Sequence, residues 1–328
     1  MKYVMTRIGC RGLTLVELMI ALALSLLVIG AAASIFLGSK ESFRLEEDIS
    51  MMQENYRFIA DRFNKDFSAV GYTGCSLPFR DNSTTVDAFL TGAGVTDVIQ
   101  GVEGIAGAPD SITVTYAETE SGIPIVEGSA NPSSPLYVSK DLPLYKALTD
   151  NFSSATPVPV TLLVGNCKRA NIFLVTSVAD TSSPSGVAVG SIAHVAGVPI
   201  GGVSNTSDDL SDTYGRLGEQ TASVYQRTSV TYEIDTVSGV TGLYETRSGG
   251  SKQLVLDNVT DMQILYGIDS ALSDGNADTY QAWSGSLKVN DITSLKVTLT
   301  MIVTQQNGVD VTRDYTFTTK LRNMGLDI

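Results

Sequence analysis

The order of apolar and polar positions divides the chain into a helical N-terminal part and a β-rich remainder. Residues 18–39 contain no charged side chain, and such a run is long enough to cross a bilayer as a helix. Up to residue 70 the apolar side chains recur at spacings of three and four, which predicts one face of a helix. We therefore predict one long helix over residues 13–70, whose segment 18–39 lies in a membrane or an assembly core. The periodic residues are Met52, Tyr56, Ile59, Phe63, Phe67 and Val70.

Beyond residue 71 the chain is rich in Ser, Thr, Gly and Val, which favours strands joined by long loops. The clearest alternation runs through 293–303, and Asn307-Gly308 predicts a tight turn to a partner strand at 311–321. The sequence thus indicates an α+β fold, a long N-terminal α-helix packed on a mainly antiparallel β-sheet domain at 71–328. The predicted strands are Ser111–Ala117, Val158–Val164, Ile172–Val178, Val187–Val195, Ser223–Ile234, Leu243–Thr246, Met262–Tyr266, Thr293–Val303 and Val311–Leu321. The predicted loops are 79–110, 118–135, 179–186, 197–221 and 268–291.

Composition excludes several classes of function. The 328 residues carry 22 Lys and Arg against 35 Asp and Glu, a net charge of −13. This balance argues against a broad surface for nucleic-acid phosphates, which needs clustered cations. One histidine and three cysteines are too few for a zinc site with two imidazoles or with four thiolates.

The charges around the apolar run predict its orientation. Lys2, Arg7 and Arg11 precede it, so residues 1–12 should remain cytoplasmic and the rest should be exported. A cleaved secretory signal and a simple membrane anchor both fit this pattern. The small residues at 31–33 would suit ordinary signal peptidase. A lipoprotein signal does not fit, because Cys10 precedes the apolar run.

Glu17 stands directly before the apolar run, where an ionised carboxylate costs a few kcal/mol unless it has a partner. The surrounding residues 11–18, Arg-Gly-Leu-Thr-Leu-Val-Glu-Leu, resemble the class III prepilin signal of type IV pilins and type II secretion pseudopilins. The resemblance implies that prepilin peptidase cuts between Gly12 and Leu13 and methylates the new amine of Leu13. The family usually has phenylalanine at that position. The resemblance also implies that Glu17 pairs with the N-terminal amine of a neighbouring subunit, which low dielectric strengthens.

Removal of the leader would take Cys10 away and leave Cys75 and Cys167. An even pair of cysteines in an exported domain indicates one disulfide, and two buried thiols are the alternative.

Further segments are similar to the PilW-type minor pilins, so the whole chain is expected to have a type IV pilin-like fold. The similar segments are 12–22, 41–75, 164–178, 243–247, 258–269, 274–280 and 320–323. The resemblance implies a structural subunit, not an enzyme, that primes or caps a type IV pilus in adhesion, twitching motility or DNA uptake. It also implies a single-pass inner-membrane protein with a periplasmic domain that later enters the fibre. Its implied partners are prepilin peptidase, other minor pilins, the major pilin and an adhesin at the pilus tip.

Two other classes stay open on the sequence. A J-type pseudopilin of a type II secretion system shares the overall design. A membrane-anchored periplasmic enzyme would need a catalytic constellation, and neither a nucleophile elbow nor a phosphate loop is present. A nucleic-acid-binding pilin would rest on the local pair Lys168 and Arg169 alone.

Four other features each have a functional and a structural interpretation. Oxygen-bearing residues at 269–278 could hold calcium, yet the full EF-hand pattern is absent, which favours a solvated loop and no cofactor. These residues are Asp269, Asp274, Asn276 and Asp278. A second acidic loop, with Asp208, Asp209 and Asp212, has a weaker claim. His194 lies among apolar residues, which favours a packed strand residue over a catalytic base. Trp283 and Tyr280 fit either an interface anchor or a cap on the core.

Overall fold

The computed structural model of the chain describes 14–72, 85–88, 90–91, 99–102, 104, 108–128, 131–166, 169–215, 222–248, 250–270, 275–284, 287, 291–304 and 309–322. The chain forms two compact units, Met1–Asn55 and Tyr56–Ile328.

The secondary structure confirms the predicted α+β class. Helix α1 spans Leu15–Ala69 and helix α2 spans Pro143–Phe152, with a 3-10 turn at Thr119–Ser121. The strands are β1 (Thr85–Ala88), β2 (Leu90–Thr91), β3 (Ile99–Val102), β4 (Ser111–Ala117), β5 (Ile123–Glu127), β6 (Leu136–Val138), β7 (Thr161–Asn166), β8 (Arg169–Leu174), β9 (Ser177–Ser182), β10 (Ala188–Ala193), β11 (Ser204–Asn205), β12 (Ser223–Val237), β13 (Val240–Arg247), β14 (Gln253–Asp257), β15 (Val259–Ile268), β16 (Thr279–Gln281), β17 (Ile292–Thr304) and β18 (Asp310–Lys320).

Two main sheets form the β-rich unit. Within the residues that the structure describes, the larger sheet has twelve strands and follows the order β1-β8-β7-β12-β5-β6-β10-β9, with β4, β3, β13 and β14 branching from β12. The smaller sheet has the order β16-β15-β17-β18, and β11 pairs separately with β2. The pairing is antiparallel except between β1 and β8. Strand β12 is therefore the element around which the larger sheet is built.

Strand prediction succeeded where the alternation was long. Ser111–Ala117 is β4 at its predicted bounds. The predicted hairpin is β17 paired with β18 in one unbroken antiparallel register from Ser294–Lys320 to Thr304–Asp310. The predicted turn at Asn307-Gly308 lies outside the described residues. The strands predicted around 158, 187, 223, 243 and 262 exist with shifted or longer bounds, which are those of β7, β10, β12, β13 and β15.

The single strand predicted at Ile172–Val178 is wrong. Strand β8 ends at Leu174 and β9 begins at Ser177. The amide side chain of Asn205 binds both the N–H and the C=O of Leu174, at 2.7 and 2.8 Å, and so occupies the backbone groups that a ladder would use. Thr176 then donates its N–H to Ala193, at the end of β10.

The predicted loops also contain regular structure. Strands β1, β2, β3, β5, β11 and β16, and the end of β9, lie in segments predicted as loops, because such short strands show too little alternation to detect. Helix α2 was also missed. Its signal was Pro143 at the first helical position, where the fixed φ of proline suits a helix start.

The chain is redirected at two places by residues with positive φ. Ser238 (φ 54°) and Gly239 (φ 84°) form the two-residue turn between β12 and β13, as a tight hairpin requires. Asn258 (φ 57°) separates β14 from β15. Its N–H donates to Thr241 at 3.0 Å and its C=O accepts from Ile302 at 2.9 Å. Asn258 is thus the corner at which the chain passes from the larger sheet to the smaller one.

The second half of α1 packs on both sheets through the predicted apolar face. Ile59, Phe63 and Phe67 have no exposed surface. Phe63 contacts Tyr232 of β12 edge-on at 4.4 Å between centroids and Phe317 of β18 at 5.6 Å. Tyr56 stacks on Tyr315 of β18 at 5.1 Å. Burial of this stripe fixes the helix above the junction of the two sheets.

A second apolar cluster lies around α2. It joins residues of α2 to β5, β6, β7, β8 and β10, and its members are buried. Tyr145 of α2 lies against the backbone of Gly190, where an added Cβ would stand 2.2 Å from the ring. The close approach explains a glycine in the middle of β10.

Candidate functional site

The start of helix α1 carries the carboxylate that the sequence marks. Thr14 precedes the helix, and its hydroxyl oxygen accepts the N–H of Glu17 at 3.3 Å. The same hydroxyl donates to the Glu17 carboxylate at 3.4 Å. This is a helix N-cap with an acidic residue in the first turn, where the helix dipole stabilises negative charge. Glu17 is exposed at the helix surface.

The first half of α1 is apolar on every side and is not buried. Among the described residues, α1 is the helix that is long and apolar enough to cross a membrane. An 18-residue window in it has a mean hydropathy of 2.6, and none of that window is buried. A signal sequence has the same properties. Gly30 and Gly38 have open space where a Cβ would stand. This surface needs lipid or other helices around it.

The second half of α1 is joined to the larger sheet by a polar cluster built around two buried carboxylates, and we call this cluster the clasp. Its members are Arg62, Asp66, Tyr116, Tyr232, Glu245 and Arg247. Arg62 donates from Nε to the Oε2 atom of Glu245 at 3.0 Å and from Nη2 to Oε1 at 2.5 Å. This two-pronged geometry is the strong form of a guanidinium–carboxylate pair. Glu245 is only 4% exposed, so the pair connects the helix to β13 through a buried carboxylate and a partly exposed guanidinium.

Asp66 forms the other half of the clasp and is 3% exposed. Its Oδ1 atom accepts the hydroxyl of Tyr116 at 2.9 Å. Its Oδ2 atom accepts the hydroxyl of Tyr232 at 2.5 Å and Nη2 of Arg247 at 3.1 Å. One helix carboxylate therefore binds β4, β12 and β13 at once. A buried carboxylate is tolerated because a cation and hydroxyl donors surround it.

The clasp raises the pKa values of its two tyrosines and its two arginines, which keeps the tyrosines neutral and the arginines charged. Burial, followed by the Asp66 charge, raises the pKa of Tyr116 to about 12, so its hydroxyl stays a donor. Burial and Asp66 also raise the pKa of Tyr232. For Arg247 burial opposes the charge, but the Tyr116 hydrogen bond and the Asp66 and Glu245 charges outweigh it and raise the pKa. The hydrogen bond to Glu245 raises the pKa of Arg62.

The candidate calcium loop uses its oxygens for its own folding. Asp269 accepts the N–H of Gly275 at 3.0 Å. Asp278 accepts the N–H and the hydroxyl of Ser270 at 2.9 and 2.8 Å. Asn276 accepts from Lys320 at 3.2 Å. Within the described part of the chain, no group of three His, Cys, Asp or Glu residues could hold a metal ion. Asp274 lies outside that part.

The aspartates of the second acidic loop also take part in hydrogen bonds within the protein. Asp208 accepts the N–H of Ala196, and Asp212 accepts the side-chain amide of Asn166 at 3.0 Å. Asp209 donates its N–H to the hydroxyl of Ser207 at 3.0 Å. These contacts give the loop a structural role.

His194 is a packed residue, as the sequence predicts, but it follows β10 instead of lying in it. It is 3% exposed and packs edge-on against Phe173 at 5.4 Å between centroids. Its Nε2 atom lies 3.1 Å from the carbonyl of Ser134. Burial lowers the pKa of His194, while the Ser134 carbonyl and Asp208 act in the opposite direction.

Trp283 caps the core. Its ring lies 5.1 Å from that of Tyr266, and both rings close over Gly101 of β3. An added Cβ at Gly101 would stand 2.2 Å from the Tyr266 hydroxyl oxygen and 2.7 Å from Trp283. Tyr280 is different, since 42% of it is exposed and its hydroxyl lies 3.1 Å from that of Ser294.

Several predicted site residues lie outside the described residues, namely Gly12, Leu13, Cys75, Cys167 and Lys168. The Cys75–Cys167 disulfide therefore stays a prediction. Tyr72 packs on the apolar cluster that contains Leu163 and Ala170. Arg169 donates to the carbonyl of Ser211 at 2.7 Å.

Sequence reasoning missed two sets of residues. Thr14 was detectable from the spacing Thr-x-x-Glu before an apolar run, a known helix-start signature. Arg62 and Asp66 were detectable as polar residues four apart at the border of the apolar face. No local signal gives their partners, since Glu245 and Arg247 lie about 180 residues later.

Comparison with known proteins supports the N-terminal interpretation. The model of the prokaryotic N-terminal methylation motif matches residues 7–33. No curated protein matches the chain, and no solved structure matches it. The motif supports a type IV pilin-like protein that is processed by prepilin peptidase and assembles with other pilins. The motif and the apolar helix together indicate membrane anchoring with a C-terminal domain.

We expect Asp66→Asn to destabilise the protein by about 3 kcal/mol. Arg247 and two tyrosine hydroxyls would lose their charged acceptor. Removal of one partner of a buried ion pair costs about 3–5 kcal/mol, and we expect the lower value because Arg247 stays partly solvated. Chemical denaturation of the full chain in detergent measures it. Asp61→Asn is the matched control on the exposed face of the same helix and should change stability by less than about 0.5 kcal/mol. Equal effects of the two substitutions would contradict the role of the clasp.

We expect the stability that neutral His194 contributes to be complete above pH 6.5 and to decline as the pH falls below it. The folded-state pKa lies below the ordinary value of 6.5, so the unfolded chain binds a proton first. The slope is at most about 1.4 kcal/mol per pH unit. Denaturation midpoints between pH 7.5 and 5 measure it, with His194→Gln as the variant that should lose this component. An unchanged pH profile in His194→Gln would show that the imidazole does not titrate as described.

Proposed function

We propose that this chain is a minor pilin of the PilW type, a structural subunit that helps to prime or cap a type IV pilus. The main support for this proposal is that the methylation motif and an unburied apolar surface occur on the same helix. The matched methylation motif at 7–33 overlaps the apolar half of α1, which has no buried surface. A helix of this kind needs neighbouring helices once it leaves the lipid, and a fibre core supplies them.

The proposed cycle follows from the chemistry of each segment. The cationic leader keeps residues 1–12 in the cytoplasm, and the β-rich domain enters the periplasm. Prepilin peptidase cuts between Gly12 and Leu13 and methylates Leu13. Glu17 then pairs with the N-terminal amine of an adjacent subunit, so that two charges that are costly alone become favourable together.

In this cycle the clasp keeps the β-rich domain attached to the helix. A subunit is pulled into a fibre by its helix, and its domain must follow without detaching. Arg62 and Asp66 connect the helix to three strands through charge-assisted hydrogen bonds. The partners in this proposal are other minor pilins, the major pilin and a tip adhesin. The role is structural and not enzymatic.

The test of the proposal is the mass of the mature N-terminal peptide from the membrane fraction. We expect a chain that begins at methylated Leu13. A chain that begins near Ser34 would indicate ordinary signal peptidase and would contradict the pilin assignment. Fractionation with pilus tip proteins supports the minor-pilin role, whereas fractionation with a secretion apparatus would favour the J-type pseudopilin.

We expect Glu17→Ala to be processed normally and to enter fibres at least tenfold less than the native subunit. The substitution removes the charge partner of the neighbouring amine but leaves the peptidase site at Gly12 intact. Quantitative immunoblotting of purified fibres measures incorporation. Glu54→Ala, on the charged second half of the same helix, is the matched control and should assemble normally. Normal incorporation of Glu17→Ala would refute the charge pairing.

A further inference from the structure

Strand β18 forms one end of the smaller sheet and has an outer edge. Its register with β17 is unbroken over the strand, so no bulge interrupts this edge. Leu321 donates its N–H to Thr293 at 2.9 Å. In an antiparallel ladder the backbone groups alternate between the two sides. The odd-numbered residues of β18 therefore face β17, and the even-numbered residues direct their N–H and C=O groups outward.

The outward C=O of Thr316 has a partner on helix α1. The hydroxyl of Tyr56 donates to the outward C=O of Thr316 at 3.2 Å, which independently confirms the direction of the even-numbered residues. Of the described residues, none donates to or accepts from the outward backbone groups of Asp310, Thr312 and Asp314. Helix α1 thus limits the uncovered edge to the first half of the strand. A straight, unpaired edge is a template for another strand.

Two of the side chains on the same half, Asp310 and Asp314, are acidic. Asp310 and Asp314 are exposed. Hydroxyls of β17 hold both carboxylates on the solvent face, since Thr304 donates to Asp310 at 2.7 Å and Thr300 donates to Asp314 at 2.8 Å. In the next strand of this sheet, Asp261 stands opposite Thr300. The cation nearest in sequence, Arg313, alternates to the opposite face.

We propose that the outer edge of β18 at 310–314 binds an extended strand of another polypeptide that carries Lys or Arg at alternate positions. The outward backbone groups require an extended chain, because only a strand matches their spacing. The two carboxylates select its charge, since opposite charges on neighbouring strands are favourable and like charges are not. The net charge of −13 also repels acidic segments. The proposal depends on strand geometry and does not rest on the pilin assignment.

The test uses the full chain in detergent and two fluorescent peptides. The basic probe is Val-Lys-Thr-Lys-Thr-Lys-Val, and the acidic probe has Glu in place of each Lys. We expect the basic probe to bind at least tenfold more tightly in fluorescence anisotropy. It should slow hydrogen exchange at the amides of Thr312 and Asp314. Binding of neither probe, or equal binding of both, would overturn the proposal, as would full protection of these amides in the isolated chain.

Two variants and one control localise the binding. Thr312→Pro removes one outward N–H and no ladder bond, so it should weaken the basic probe at least tenfold. Thr312→Val keeps that N–H and should bind within twofold of the native chain. Asp314→Lys should reverse the preference between the probes, and it tests the edge even if the proline variant fails to fold. Unchanged binding in both Asp314→Lys and a folded Thr312→Pro would place the probe elsewhere and refute the proposal.

Discussion

The burial of Asp66 and Glu245 is the constraint on which the arrangement of helix and sheets depends. A carboxylate loses several kcal/mol of hydration when it leaves water, and only close cations and donors compensate for that loss. Asp66 finds them on three strands, and Glu245 finds Arg62 on the helix. The hydrophobic effect is non-directional, so burial of the apolar face alone selects the position of α1 less sharply than a two-pronged ion pair does. The clasp permits one register.

The two halves of helix α1 have surfaces suited to two different environments. Its first half is apolar around its circumference and has no burial, and its second half has one apolar face and one charged face. The all-round apolar pattern ends at residue 39, where charged side chains begin, and the boundary between the compact units follows at residues 55 and 56. A segment that must meet lipid or other helices cannot also recognise a sheet. The chain separates these tasks along one element, with Thr14 and Glu17 at one end and the clasp towards the other.

Strand β18 of the smaller sheet contacts helix α1 with one face and presents a polar face and an outer edge elsewhere. The odd-numbered residues of β18 hold the helix, with Tyr315 and Phe317 against its aromatic side chains. Its even-numbered residues form a polar face and an outer edge. Alternation in a strand makes this division automatic, because neighbouring residues point in opposite directions. The carboxylates at Asp310 and Asp314 also protect the edge from indiscriminate pairing.

The sequence by itself determined the long helix, its apolar half, the face with Ile59, Phe63 and Phe67, and the hairpin of β17 and β18. Each of these is a periodic pattern within one segment, and local periodicity is what sequence displays. Only the tertiary structure decided the clasp, the split between β8 and β9 at Asn205, and the corner at Asn258. These features depend on residues far apart in the chain, and no spacing within a segment encodes which distant backbone or charge they will meet. The calcium candidate follows the same logic, because its acidic pattern was visible while the use of Asp269 and Asp278 as loop acceptors was not.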